Sequence, residues 1–568
     1  MPTRLRHLPT LWAVALALVL LGPALGAGYV LSYDMVWVPH LALRSDFLGF
    51  STALPRAVPS DAVVAVLDDV VPAMLLQKAA LLGSLVAAAL GMVRLVGDSL
   101  AARLTAVTLT VWNPFTVERL LIGHWTVLVG YGVVPWLVLA GRETRRSGRV
   151  PVVAWVLLPL GSLSASAGLV SALALVVSGW RSPRAVARSD LTLLLCALVG
   201  NAPWVAAGLL HVSHATGAGA SVFALHPEGS LPAPLAGLGM GGIWNAAVVP
   251  GSRHTFLAWL SLALVLALAA VGARTWRERT RGESARLLIL WALGYLVALA
   301  TWIFPGLLDA LAEHVPGGGL LRDGTRVFAL CLPVYAGLPA AGAEWLAGPR
   351  AGLDEAGRRF VVGAVVALPA LLLYDAAWGV SGALRAVDYP ASWATARAEA
   401  DLSGGDLLVL PFSAYRAPAW NHRHTVLDPL GRYLPPNYLA DDGLVVDGRT
   451  VPGEDPRVPE ARRALALPTP EARTRALLAL GIRSVATETD TPGPGRQLSF
   501  DADPVSAGPG LVIVRLRGTP HDRAVSSADR AVMTVAWAAY AGSFLVGLVL
   551  LGVRGGRSWR HRWRARAL

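Results

Sequence analysis

In a chain this apolar, a charged side chain beside a hydrophobic run needs a reason. The first such case is Asp34 in LSYDMVWVPH, residues 31–40, at the exit of the first long apolar segment. A carboxylate held among aromatics at that boundary is a candidate for function, with a lone acid marking a helix end as the plainer reading, and Asp46 is the next acid along the chain. The stretch WNPFTVERLLIGHW, residues 112–125, brings Glu118, Arg119 and His124 within about two helical turns. That group reads equally as an internal ion pair or as a substrate contact. In LRDGTRVFAL, Arg322, Asp323 and Arg326 precede a late apolar segment. Guanidinium groups there suit a lipid phosphate, with snorkelling to headgroups as the plainer reading. Asp375 in LLLYDAAW is an acid inside an apolar stretch, a functional candidate unless it pairs with an arginine. Finally, WNHRHTVLDPLGRYLPPNY supplies His422, His424, Arg432 and Tyr433, with the two histidines alternating as on a strand. Asp428 is the acid close by, so acceptor binding or loop packing fits better than a metal site.

These residues need a scaffold, and composition says which kind. The chain is 54% hydrophobic and 15% charged over 568 residues, which marks a polytopic membrane protein rather than a soluble one. The net charge of +12 is carried by arginine, with Lys78 the one lysine. Membrane-flanking arginine accounts for it, and no nucleic-acid partner is implied. Cys196 and Cys331 lie in apolar segments, so neither a disulfide framework nor a cysteine metal site is available. His211, His214 and His226 read as structural or interfacial. Phosphate-binding loops, dinucleotide fingerprints, GxSxG and HExxH are absent from the sequence.

Residues 9–30 read as a retained first helix rather than a cleaved signal peptide. Further apolar segments fall near 72–95, 101–115, 120–140, 150–161, 165–179, 189–211, 254–273, 287–304, 327–347, 360–379 and 529–553. The segments at 101–115, 150–161 and 165–179 are short for a span of ~20 residues, so they are re-entrant or packed inside the bundle. Pro114 ends or kinks the first of them, where Asn113 can satisfy freed backbone groups. Arginine clusters at 142–149, 181–188, 274–286, 350–359 and the tail all fall on one side if 101–140 crosses twice and 150–179 goes out and back. That gives about twelve segments with both termini cytoplasmic, and loops 31–71, 212–253, 304–326 and 380–527 outside. Within the first outer loop, Val63, Val64, Val66, Leu67, Val70 and Val71 form a stripe with Asp61, Asp68 and Asp69 off it, an interfacial helix over 60–71. The expected organisation is a mainly α helical bundle over 1–379, an exterior α/β domain over 380–527, and a last helix with a basic tail over 528–568. In that domain, DLLVLPF, IRSVATET and LVIVRLRG read as strands and PEARTRALLALG as a helix ending at Gly481. TPGPGRQ and DADPVSAGPG read as loops.

Taken together, these features resemble the GT-C superfamily of integral-membrane glycosyltransferases that use polyprenyl-phosphate sugars, whether YfhO-like or like actinobacterial arabinosyl- and mannosyltransferases. The likeness is carried by the acid after helix one (SYDMVW), the interfacial helix, the helix count, the LRDGTRVFAL box and the ending LGIRSVATETD…GLVIVRL. Asp34 stands alone where better-defined members carry paired acids. The resemblance implies a lipid-linked sugar donor, a cell-envelope glycan or glycolipid acceptor, and a bacterial plasma membrane. It also implies Asp34 as base, Arg322 and Arg326 on the donor phosphate, and a divalent cation, Mg or Mn, as a compatible cofactor. The rival reading is a non-enzymatic envelope lipid or glycan transporter or assembly protein; a ligase for preassembled glycans would use much the same residues. Transporters favour internal repeats and midplane polar groups, whereas here there is no repeat and the polar residues gather at the rim.

Overall fold

The computed structural model describes residues 6–50, 57–182, 186–211, 220–315, 318–321, 323–446, 449–451, 453, 455–523 and 525–564. All twelve apolar segments fold as helices. In chain order the helices are α1 (Leu8–Leu21), α2 (Ser60–Asp68), α3 (Ala73–Leu95), α4 (Leu100–Val111), α5 (Pro114–Leu121) and α6 (Trp125–Ser147). Then come α7 (Val152–Leu160), α8 (Ala165–Gly179), α9 (Arg188–Leu210), the short α10 (Ala233–Leu238), α11 (Leu257–Arg279) and α12 (Ser284–Ile303). The surface helix α13 (Pro305–His314), α14 (Leu332–Ala347), α15 (Glu355–Leu372) and a last helix, Ser527–Arg564, complete the bundle.

Among the described residues, eight helices are long and apolar enough to cross a membrane, or nine if α15 and the segment it bends into at 68° count as one. The short segments among the expected twelve account for the difference. With 12 and 9 residues, α4 and α7 rise only ~18 and ~14 Å against a ~30 Å hydrocarbon core. Both pack against other bundle helices, as does α8. Small residues allow such packing. A Cβ on Gly272 or Gly342 would collide with the carbonyls of Leu338 or Leu268, so α11 and α14 touch backbone to backbone. At one end of the bundle the arginine clusters meet: Arg142 and Arg145 share Glu283, Arg286 donates to the Trp180 carbonyl, and Arg279 pairs with Glu344. The α/β domain sits at the other end.

That domain is built on a five-stranded sheet. In chain order the strands are β1 (Tyr29–Val30), β2 (Ala386–Val387), β3 (Asp406–Leu410), β4 (Tyr415–Arg416), β5 (Val426–Leu427) and β6 (Tyr438–Leu439). A hairpin of β7 (Leu444–Val446) and β8 (Arg449–Val451) follows, then β9 (Ile482–Glu488), β10 (Ala502–Gly508) and β11 (Leu511–Leu516). The sheet order is β10-β11-β9-β3-β6, with β9, β3 and β6 parallel and the first two pairings antiparallel. The LLVL run of β3 is fully buried, as a central parallel strand requires. DADPVSAGPG, expected as a loop, contains strand β10. Pro504 is tolerated because the strand lies at the sheet edge and its register shifts between Pro504 and Ser506. The helix before Gly481 runs Pro470–Ala479, capped by Thr469, and Gly481 takes φ +83°.

The interfacial helix α2 covers 60–68, and its valine stripe divides. Val64 is buried, whereas Val66, Leu67, Val70 and Val71 are exposed. Asp61 and Asp68 turn inward, Asp61 to Arg432 at 2.9 Å and Asp68 to the amides of Leu41 and Ala73. The helix thus presents its acids to the protein and an apolar edge outward.

Candidate functional site

Asp34 is placed by a strand-like segment caught between bundle and domain. After α1, β1 pairs antiparallel with β2, and Gln77 of α3 closes Val30 on both sides, accepting from its amide and donating to its carbonyl. Three residues on, Tyr33 donates its amide to Thr425 and accepts from Leu427, an extension of β5. On the bundle side, the Asp34 amide donates to Ile122 at 3.1 Å. The α5–α6 turn comes this close because Gly123 has φ +81° and no side chain; a Cβ there would lie 2.2 Å from Met35 N and Ser32 O.

The next elements come from WNPFTVERLLIGHW. Asn113 accepts from the Thr116 amide to cap α5, and its Nδ2 donates to Leu109 and Thr110, closing the carbonyl end of α4. Pro114 occupies the first turn of α5, so the break predicted there is a clean restart. This geometry delivers Arg119, fully buried, to the residues before α14. Its Nη1 lies 3.0 Å from Asp323 Oδ2, and its Nη2 donates to Thr325. Arg326 donates Nε to the same Asp323 oxygen at 3.0 Å.

His124 joins this cluster to Asp34. Its Nδ1 is 2.8 Å from Arg119 Nη1, and a guanidinium can only donate, so Nδ1 is the acceptor and the proton resides on Nε2. Nε2–H then donates to Asp34 Oδ2 at 3.2 Å. Arg326 Nη2 is also 3.2 Å from Nε2, donor facing donor, so that arm of Arg326 has no acceptor in this contact. Burial, then Arg326, pushes the His124 pKa down to about 4 against the pull of Asp34, so the ring is neutral at pH 7. Tyr415 donates its hydroxyl to Asp34 Oδ1 at 2.5 Å. Burial alone would raise Asp34, but the hydrogen bonds from His124 and Tyr415 and the charge of Arg326 outweigh it and hold the carboxyl at about 2. With 39% of its side chain exposed, Asp34 remains an open, ionised acceptor. Asp323 is likewise held well below the usual carboxylate range, burial being overcome by Arg119 and Arg326.

Tyr415 follows the carboxyl end of parallel strand β3, the end at which open α/β sheets place functional groups. Its neighbour on β4, Arg416, points the other way into the core and binds Asp428 at 2.7 Å and Glu488 at 3.1 Å, which fixes the strand that presents Tyr415. Composition around Tyr415 carries no signal for this role; its position after a buried strand does.

The remaining candidates lie elsewhere. Glu118 turns away from the cluster onto Glu228, which Arg253 neutralises, and burial and that second carboxyl raise its pKa well above the ordinary range. Asp46 pairs with Arg523 of the segment before the last helix. Asp375 accepts from the Ser252 amide and hydroxyl at 2.7 and 2.6 Å, serving as a cap rather than pairing with an arginine. The expected strand alternation of His422 and His424 does not occur. His422 and Arg423 adopt left-handed φ of +52° and +58° in a turn, leaving His422 exposed, while His424 reaches Ser32 Oγ at 2.8 Å. Arg432 clamps α2 through Asp61, and Tyr433 is buried against Tyr389 and Trp393, so both are joints between elements. Arg322 and His214 lie outside the described residues.

No family model matches the chain, and no curated protein matches it. Among solved structures, it is similar to the cryo-EM structure of arabinofuranosyltransferase AftD from Mycobacteria. The identity is 16%, the TM-score is 0.54, and the match covers 91% of this chain and 42% of that one. The chain thus spans about two fifths of that enzyme's length. Helix order, the strand-containing domain before the last helix and this likeness agree on one architecture: the chain has a GT-C-like membrane fold.

Proposed function

We propose that this chain is a membrane glycosyltransferase that moves a sugar from a polyprenyl-phosphate donor to a cell-envelope glycan or lipid acceptor. The observation that carries the reading is a shared nitrogen. Asp34 Oδ2 and Arg326 Nη2 each lie 3.2 Å from His124 Nε2, so a carboxylate and a guanidinium without an acceptor there are no more than twice that distance apart. Glycosyl transfer from a lipid phosphate needs both groups.

In this mechanism the acceptor hydroxyl binds a free lone pair of Asp34, oriented by Tyr415 and His124. Its oxygen attacks the anomeric carbon, the bond from that carbon to the phosphate oxygen breaks, and the proton passes to Asp34. Arg326 stabilises the departing phosphate, with Arg322 assigned the same role. A carboxylate held near pKa 2 is a weak base, yet sufficient, because the hydroxyl becomes strongly acidic only as its bond to the anomeric carbon forms. The Asp34 surroundings do not fit a divalent cation. Its partners, a tyrosine hydroxyl, an imidazole N–H and a nearby guanidinium, are donors, and no group of three His, Cys, Asp or Glu able to hold a metal occurs among the described residues. No step is assigned to one.

Arginine gathered at the far end of the bundle supports a cytoplasmic assignment for that end and both termini, with residues 380–527 exterior to a bacterial plasma membrane. The test compares wild type with Asp34→Asn on a panel of radiolabelled polyprenyl-phosphate sugars. Transfer should fall about 10²–10⁴-fold while donor binding and melting temperature hold. Unchanged transfer in the variant sinks Asp34 as base. A wild type that binds the donors yet transfers none supports the envelope transporter or assembly reading instead.

A further inference from the structure

At the opposite end of β3 from Tyr415 lies a cleft of about 420 Å³. Five stretches of chain line it: Ser45 and Phe50 of the first loop, residues 404–406 at the start of β3, Asn437, Gly481 before β9, and residues 519–523 with Val525 ahead of the last helix. Glycine makes the opening. A side chain on Gly404 would meet nothing within 4 Å, and Gly481, at φ +83°, lets the backbone of His521 approach its Cα side closely.

The lining selects a ligand class. Arg523 donates Nη2 to Asp406 at 2.8 Å and Asp46 at 3.4 Å, and Arg457 also binds Asp406, so the cationic charge beside the cleft is offset by carboxylates, and the Arg523 Nη1, which makes no hydrogen bond, is buried rather than open to the cleft. Asp522, Thr519 and His521 are exposed, and the first two form no side-chain hydrogen bond or ion pair with described residues. Phe50, Pro520 and Val525 are the apolar contributors, too few for an acyl chain but enough to face the C–H side of a sugar ring. Carboxylate, amide and hydroxyl groups around such a ring match alternating hydroxyls, each able to donate and accept.

We infer that this cleft is a second carbohydrate-binding site, holding the uncharged stem of a glycan whose tip lies at Asp34. β3, about 13 Å long, runs from the cleft toward Tyr415, a length comparable to that of a few sugar residues. The identity of the glycan as acceptor rests on the glycosyltransferase reading; the existence of the site does not.

The test uses the full chain in detergent, carrying Asp34→Asn, titrated calorimetrically with linear arabinofuranosyl and mannopyranosyl hexasaccharides and disaccharides. One hexasaccharide should bind saturably, and Thr519→Trp, which fills the cleft, and Asp522→Ala should each weaken it about tenfold or more, while disaccharide binding holds. In protein with native Asp34, the same substitutions should raise the hexasaccharide KM about tenfold with kcat unchanged. Equal hexasaccharide binding in both variants, or none by any hexasaccharide, overturns the site. Binding that obeys the variants in a chain that transfers no sugar keeps the site and overturns the glycosyltransferase reading instead.

Discussion

Asp323→Asn tests the architecture of the site most directly. Arg119 and Asp323 are 0% and 2% exposed, and Asp323 also receives Arg326, so one carboxylate neutralises two guanidinium groups. An asparagine keeps the shape and one acceptor oxygen but leaves Arg119 charged and buried without a counter-ion. Removing one partner of such a pair costs about 3–5 kcal/mol, chiefly the penalty of the orphaned charge. At about 2 °C per kcal/mol for a large domain, the melting temperature should fall by about 6–10 °C. Arg326, having lost its Nε acceptor, turns to the remaining carboxylate, Asp34, and a displacement of about 1 Å there is worth about 10²-fold in transfer. The double substitution Arg119→Met with Asp323→Leu separates the two effects. It removes both charges, so melting should recover nearly to wild type while transfer does not. Tryptophan-fluorescence melting in detergent reads the first and sugar transfer the second, with Asp401→Asn, which breaks a surface pair to Arg515, as control. If Asp323→Asn melts like that control, the buried hub does not exist as described. A double variant that regains transfer refutes the role given to Arg326.

Two further substitutions probe the supports of the site. Gly123→Ala puts a Cβ into Met35 N and Ser32 O and should displace the Asp34 loop. The expected result is a loss of transfer of about 10²-fold with donor binding kept, and wild-type kinetics would show that the close approach is not needed. Glu488 is raised above its ordinary pKa by burial and then by Asp428. The folded form therefore holds its proton more tightly than the unfolded one, so its contribution is fully present below about pH 4.5 and is lost as pH rises through the raised value. Glu488→Gln should flatten the decline in melting temperature between pH 5 and 9, and an unchanged slope would refute it.

Much of the scaffold was legible because its signals are local. The apolar run of β3, the helix stop at Gly481 and the Asn113-Pro114 restart depend on residues within a few positions of one another. The rest depended on tertiary partners. DADPVSAGPG reads as a loop by composition but pairs along β11 because an edge strand does not need the proline N–H. His422 and Arg423 take left-handed φ without glycine or asparagine to announce it. Arg432 and Tyr433 have the composition of a glycan-binding segment, yet they are joints, one an ion pair to α2 and the other an aromatic core residue. At the site itself, Asp34, His124 and Arg326 were all nominated from the sequence, but which of them touch was not. Tyr415, 381 residues from Asp34, was missed.

The candidate site is made where the bundle and the α/β domain meet. Asp34 is held on one side by the α5–α6 turn of the bundle and on the other by Tyr415 and the Tyr33–Thr425 pairing of the domain. The same joint is fastened by Asp61–Arg432, by Asp46–Arg523 and by Arg44, which donates to the carbonyls of Gly431, Arg432 and Leu434. Of these residues, Asp46 and Arg432 have the sequence signature of chemistry, being polar and near a membrane boundary, and both are paired across the joint. That is the physical reason the α/β domain is not a detachable binding module. Without it, Asp34 loses the Tyr415 hydrogen bond and the pairing that orients its loop; without the bundle, Tyr415 has no carboxylate to serve. A site assembled across such a joint gains its geometry only when both parts have folded and docked, so changes in the fasteners should reach the chemistry through the position of Asp34.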